Sequence, residues 1–309
     1  MEVAVGTLLQ QIANGLIFGG LIAMVALGYT MVYGIIQLIN FAHGEIFMTG
    51  AFGGLAVYSW VLPPAAQQIW YVALPAMLVG GAIVSVVVAL LMERFAYRPL
   101  RNAPRLAPLI TALGVSVFLQ ELVRIFFPGA SSAVPFPNAF ITAPLHIGSI
   151  TIPASGLLML IVSVVLSIVL ETYVNGSRMG RAMRATAQDP DTARLMGINP
   201  DRVIVLTFAI GAVLAGVGGV LYGTYIHNVD PYIGFQNGLF AFAAAVLGGI
   251  GSIRGAVIGA FVIGLIKNLA DIYLPGGTAY DYVWIFILLI AVLVFRPQGL
   301  FGEAERVRA

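Results

Sequence analysis

The feature that most constrains this chain is a recurrence of long, nearly uncharged apolar runs broken by short polar interruptions. The runs fall at about 12–36, 44–62, 70–92, 106–127, 154–173, 203–226, 238–250, 256–273 and 282–295. About 20 mostly apolar residues suffice to cross the ~30 Å hydrocarbon layer of a bilayer as a helix. Composition agrees: the 309 residues are 60% hydrophobic and 9% charged, against roughly 25% charge in soluble domains. The ordinary soluble classes are excluded, and lipid is the expected solvent. A net charge of +2 gives no reason to expect a nucleic-acid partner, and zero cysteines exclude disulfides, thiolate chemistry and Cys-ligated metals.

The expected fold is therefore an all-α polytopic membrane protein, one domain over 1–309, with eight or nine transmembrane helices. The run at 238–250 is too short to cross as a straight helix and reads as a half-span or re-entrant segment. Residues 1–12 hold Glu2 and no Lys or Arg. A secretory signal opens on a basic segment, so the first run reads as a retained helix.

Basic residues set the orientation, because Lys and Arg near span ends stay cytoplasmic. Twelve of the fifteen lie in three places: Arg94, Arg98, Arg101 and Arg105; Arg178, Arg181, Arg184, Arg194 and Arg202; and Arg296, Arg306 and Arg308. One alternating topology puts loops 93–105 and 174–202 and the C-terminus inside. It leaves 128–153, which has no formal charge, outside. Arg124 and Lys267 fall on the outer side, each with an acid at helical spacing, Glu121 and Asp271, and read as snorkelling pairs near the interface. Within 128–153, the alternation from His146 to Ile152 fits a short hairpin strand, with His146 solvated or hydrogen-bonded.

Two glycine-containing interruptions stand out, because transport folds place pathways at broken helices. The first runs from Gly34 to Glu45. There Asn40 is placed to cap the following helix, with His43 beside it and Glu45 in the first turn, where an acid complements the helix dipole. The second is Gly248-Gly249-Ile250-Gly251-Ser252-Ile253-Arg254-Gly255, whose glycines permit a tight turn between short helices. Asn40, His43, Glu45, Gly248, Gly249, Gly251 and Ser252 are the candidates for a path or gate; for the first three, a purely structural capping role stands beside it. His43-Gly44-Glu45 lacks the second histidine of a zinc-protease helix. Gly211, Gly216, Gly218 and Gly219 read as sites of close helix contact.

The inner loop 174–202 is richer than a tether needs. Arg178, Arg181 and Arg184 recur every three residues and are expected roughly along one helix face. Asp189 and Pro190 open a second short helix as N-cap and first residue, and Gly197 ends it. Docking and headgroup anchoring are both open to such an element. The chain has one lysine, Lys267, and no phosphate-cradling G-x-x-x-x-G-K-[ST] loop. If its work is ATP-driven, the ATPase is another chain. A paired catalytic aspartate, a Ser–His arrangement or a metal cluster is not visible in the sequence, so an enzyme is not expected.

From Gly28-Tyr29-Thr30-Met31-Val32-Tyr33-Gly34 through Ile39-Asn40-Phe41-Ala42-His43-Gly44-Glu45, the chain resembles the permeases of bacterial branched-chain amino-acid ABC importers. The likeness continues at Glu93-Arg94-Phe95-Ala96-Tyr97-Arg98-Pro99, Ser177-Arg178-Met179-Gly180-Arg181, Met196-Gly197-Ile198-Asn199, Pro231-Tyr232-Ile233-Gly234-Phe235 and Ala244–Ile253. It is similar to the H-type permease of the leucine/isoleucine/valine system. The resemblance implies an ABC importer permease fold in a bacterial inner membrane. It implies an M-type permease partner, two cytoplasmic ATPases that use the ATP, and an extracytoplasmic amino-acid-binding protein. It also implies a coupling helix: 191–197 matches the family's E-A-A-x-x-x-G loosely, with Asp191 for Glu, Thr192 for the first Ala, then Ala193 and Gly197. Arg178, Arg181, Arg184, Asp189, Asp191, Ala193 and Gly197 are thus the expected coupling residues. Arg254 departs from the family's usual proline. Permeases of the same architecture for urea or short amides are the alternative.

Overall fold

The computed structural model describes residues 2–37, 40–101, 103–104, 106–138 and 143–302, and side chains from residue 5 onward. Arg105, Arg306 and Arg308, counted above among the inner basic residues, lie outside the described residues. In chain order the helices are α1 (Glu2–Ile36), α2 (His43–Ala56), α3 (Pro64–Gln67), α4 (Trp70–Met92), α5 (Leu106–Phe126), α6 (Ala154–Gly176), α7 (Arg178–Gln188), α8 (Pro190–Leu195), α9 (Pro200–Ile226), α10 (Ile233–Gly248), α11 (Ile253–Tyr273) and α12 (Asp281–Phe295). Wider π-helical turns extend α2 over Val57–Val61 and α4 over Glu93–Tyr97, and a 3₁₀ turn follows at Arg98–Leu100.

Seven helices are long and apolar enough to span a bilayer among the described residues. That corrects the expectation of eight or nine. The run at 238–250 does form a short helix, α10, as expected. The run at 44–62 is not among the seven either: α2 with its π-helical extension covers His43–Val61, but it carries His43 and Glu45 in its first turn and glycines along its length. All of its residues from His43 to Leu55 are buried. α2 is a core element wrapped by protein, where polar groups meet partners instead of lipid.

The bundle is organised around α1 and α9. In both, most of the apolar stretch is buried inside the protein, whereas α12 buries only a small share of its own. A helix apolar on all sides belongs in a core or a membrane, and α1 takes the core. α4, α5, α6 and α12 turn large apolar side chains outward, among them Val79, Ile83, Ile110, Phe118, Ile168 and Ile290. Such a skirt matches a lipid annulus.

Close helix contact comes from small residues, as the sequence indicates. A Cβ on Gly219 would collide with the Phe47 carbonyl of α2, and one on Gly216 would press on Ser85 Oγ of α4. The Ser85 hydroxyl donates to the Ile46 carbonyl at 2.8 Å, adding a polar tie between α4 and α2.

At the end opposite α7 and α8, the described residues of 128–153 are held by strand pairing. Strand β1 (Val134–Pro135) pairs antiparallel with β4 (Asn228–Val229), and β2 (Leu145–Ile147) pairs with β3 (Ile150–Ile152) in the expected hairpin. His146 Nδ1 lies 3.1 Å from the Thr151 hydroxyl. Gln10 of α1 bonds both backbone groups of Thr151. Phe136 is buried against Gly223, where any larger residue would meet its ring.

Candidate functional sites

The loop between α6 and α9 folds as two helices, each set by local chemistry. Ser177 caps α7 by accepting from Gly180 N at 2.9 Å. Asp189 caps α8 by accepting from the backbone N–H groups of Asp191 and Thr192, with Pro190 at the first helical position. Gly197, at φ +81°, closes it, and Ile198 N returns a bond to the Ala193 carbonyl at 3.0 Å. Ala193, within α8, is buried against the groove between the two helices. Asp191 and Arg194 pair on the exposed face at 2.8 Å.

A groove of about 470 Å³ lies between α7 and α8, with Arg178, Arg181, Gln188, Asp189 and Thr192 at its edges. Arg184 is not among them. It reaches back to the Val174 carbonyl at the end of α6. The single arginine face is therefore corrected: a spacing of three lags the 3.6-residue turn by about 60° per step, so the third arginine has rotated out of line. Leu195 and Met196, 87% and 78% exposed, form an apolar tip on α8 that sequence patterning did not single out. Their signal was there: two large apolar residues directly before the terminating glycine of a short polar helix.

The first break is a buried polar cluster. The residue capping α2 is Ala42, with no side-chain bond. Asn40 is therefore not the helix cap; its carboxamide oxygen accepts from the Tyr97 hydroxyl at 2.6 Å instead. Its carbonyl accepts from His43 N at 3.0 Å. The His43 ring fills the notch left by Gly28 and lies beside Gly211, with Tyr29 edge-on at 5.1 Å. Glu45 is fully buried. Its Oε1 accepts from Ser116 Oγ and Gln120 Nε2 of α5, both at 2.8 Å. Among the described residues, Asn40 Nδ2, His43 Nε2 and Glu45 Oε2 have no hydrogen-bond partner. Sequence reasoning missed Tyr97, Ser116 and Gln120, which sit far along the chain with no local pattern to mark them.

The second break closes the opposite side of the same end. Gly249 and Gly251, at φ +106° and +97°, make the turn, and Ser252 caps α11 by accepting from Gly255 N. Gly248, the last residue of α10, accepts at its carbonyl from Phe301 N, and the Leu247 carbonyl accepts from Leu300 N. The segment after α12 thus folds back onto the glycine turn. Gly34, at the end of α1, faces Gly251 closely enough that a Cβ there would touch its Cα at 3.5 Å. The two breaks meet, and α2 crosses α10 at Gly44 and Gly234, where neither tolerates a side chain.

At the opposite end, Arg124 pairs with Glu121 as read. Lys267 does not snorkel. It is 18% exposed, pairs with Asp271 at 3.1 Å and with Asp281 at 3.2 Å, and lies over the Phe18 ring. The helical spacing gave Asp271, whereas Asp281 arrives from the start of α12. Arg254, the departure from the family pattern, pairs with Glu171 of α6.

A helical bundle with an apolar outer skirt, two breaks meeting at one end and a helical elbow beside them has the architecture of a polytopic membrane protein. Residues 11–293 match the family described as branched-chain amino acid transport system / permease component. The chain belongs to that family. It is 43% identical over 299 residues, 96% of each chain, to the high-affinity branched-chain amino acid transport system permease protein LivH of Salmonella typhimurium. It is 40% identical over 304 residues to the corresponding protein BraD of Pseudomonas aeruginosa, again with 96% of each covered. The fold resembles a chain of PsaBC from Streptococcus pneumoniae, solved with Fab, at TM-score 0.51 and 12% identity over 92% and 91% of the two chains.

Proposed function

We propose that this chain is the H-type permease of an ATP-driven importer of branched-chain amino acids in a bacterial inner membrane. Its likeness to LivH and BraD over nearly the whole chain carries this reading. An M-type permease completes the path, two ATPases consume the ATP, and an extracytoplasmic binding protein delivers the amino acid. The end bearing α7, α8 and the two breaks faces the cytoplasm, since Arg94, Arg98, Arg101, Arg178, Arg181, Arg184, Arg194, Arg202 and Arg296 gather around it.

In this reading α7 and α8 are the docking elbow. The Leu195–Met196 tip enters an apolar cleft on the ATPase, with Arg178 and Arg181 flanking the groove behind it. ATP binding closes the ATPase pair and displaces the elbow. The permeases then rock between outward and inward access, which requires the nucleotide states to differ in their contacts with the elbow. The breaks around Asn40, His43 and Glu45, and around Gly248, Gly249, Gly251 and Ser252, serve as the inner gate.

The test is uptake of labelled leucine into proteoliposomes holding the assembled transporter, with urea as competing cargo. ATP-dependent leucine uptake is expected. Urea uptake without leucine uptake would replace the substrate, and uptake by this chain alone without ATP would replace the mechanism.

A further inference from the structure

Between the docking elbow and the buried break runs a chain of polar contacts joined by short stretches of backbone. Gly197 ends α8, and Asn199 then caps α9 by accepting from Arg202 N. Asp201 sits in the first turn of α9, four residues beyond Gly197. Its carboxylate is gripped by Arg101 and approached by Arg98 at 3.7 Å. The other arm of the Arg101 guanidinium pairs with Glu93, a buried carboxylate at the start of the π-helical turn after α4. Tyr97 ends that turn. Its ring packs on Phe208 of α9 at 5.6 Å, and its hydroxyl donates to Asn40 in the link between α1 and α2. Asn40 in turn holds His43 N, at the start of the helix that carries Glu45.

We infer that Arg101 and Tyr97 are positioning residues that carry displacement of the α7–α8 elbow into the α1–α2 break. The inference rests on the docking role proposed above for the elbow. Its physical basis is the cost of breaking these links. Glu93 and the Asn40 carboxamide are buried, and stripping a buried carboxylate or amide oxygen of the partner it has is costly. Movement of the α9 N-terminus therefore takes Arg101, Glu93 and Tyr97 with it rather than leaving them behind. The π-helical turn between Glu93 and Tyr97 is the compliant element, since such wider turns sit inside helices at functional sites. Arginine suits position 101 because its planar fork gives each carboxylate its own terminal nitrogen, Glu93 on one and Asp201 on the other, whereas an ammonium would have to share one nitrogen between them.

The experiment uses the assembled transporter in proteoliposomes and reads leucine taken up per ATP hydrolysed. Tyr97→Phe keeps the ring on Phe208 and removes only the hydroxyl; Arg101→Lys keeps the charge and removes the fork. Each is expected to lower the uptake-to-ATP ratio about tenfold, within the usual range of coupling between sites, with complex yield and ATP hydrolysis little changed. The double variant should be no worse than the weaker single, since breaking one relay at either link gives the same loss. Unchanged ratios in both singles, or losses that multiply in the double, overturn the relay. Should either variant fail to assemble, hydrogen exchange on the unmodified transporter decides the matter. With ATP, protection of 190–199, 93–101 and 40–45 must change together; change confined to 190–199 overturns the relay and leaves docking intact. A Leu195→Asp chain that still binds the ATPases and takes up leucine normally overturns docking, and the relay with it.

Discussion

Glu45 separates packing from transport when two substitutions are compared. Its Oε1 is the acceptor for Ser116 Oγ and Gln120 Nε2. In Glu45→Ala, Gln120 Nε2 keeps a longer bond to Ser116 Oγ at 3.3 Å, but the serine hydroxyl loses its acceptor. One orphaned buried donor costs about 1–3 kcal/mol. The cavity left by the lost carboxymethyl atoms adds about 1 kcal/mol at ~24 cal/mol per Å³. The alanine chain should therefore be about 2–4 kcal/mol less stable, an apparent Tm lower by about 4–10 °C at the usual conversion. Glu45→Gln retains an acceptor oxygen at the Oε1 position and removes the charge, so its melting should stay near that of the unsubstituted chain. The assay heats the purified transporter, measures surviving monodisperse complex by size exclusion, and follows leucine uptake in parallel. We expect the glutamine chain to lose more uptake than assembled protein. An alanine chain that melts normally would refute the hydrogen-bond and cavity reasoning. Equal loss of uptake and assembly in the glutamine chain would make Glu45 a packing residue.

Deleting 189–197, or replacing Arg181 with Glu, should abolish ATP-driven uptake while the chain still inserts into the membrane, measured by uptake and by membrane-fraction immunoblot; normal uptake after the deletion refutes the docking role. Gly28→Ala should drive the His43 ring from its notch and cost about 1–3 kcal/mol by overpacking, read as lower thermal survival of the complex. Lys267→Ala should leave Asp271 and Asp281 facing each other without a cation and cost about 3 kcal/mol; adding Asp281→Asn should recover part of that stability, and a double variant no better than the single would refute the ion triad.

Elements governed by near neighbours were legible in the chain itself. Asp189, Pro190 and Gly197 bound α8 as read, because capping and termination act over three or four residues. The 145–152 hairpin, the Arg124–Glu121 pair and the glycine turn before Ser252 follow the same logic. The apolar runs gave every long helix, since the need to exclude water from twenty residues is written in those residues alone.

What the chain could not display was who stands opposite whom. Asn40 reads locally as a helix cap, yet a tyrosine 57 positions later claims its side chain. Lys267 shows its i+4 acid, but Asp281 reaches it only once α12 packs on α11. Helix geometry alone rotates Arg184 out of the row of its neighbours, but the carbonyl it then meets is supplied by the end of α6. α2 has the apolar run of a span and became a wrapped core helix, because α4, α9 and α10 close over it through glycine contacts. The sequence by itself determined the solvent, the helices and their local caps, all set by forces that act within a few residues. The tertiary structure alone decided which polar groups meet inside the bundle, because each pairing depends on several helices arriving together.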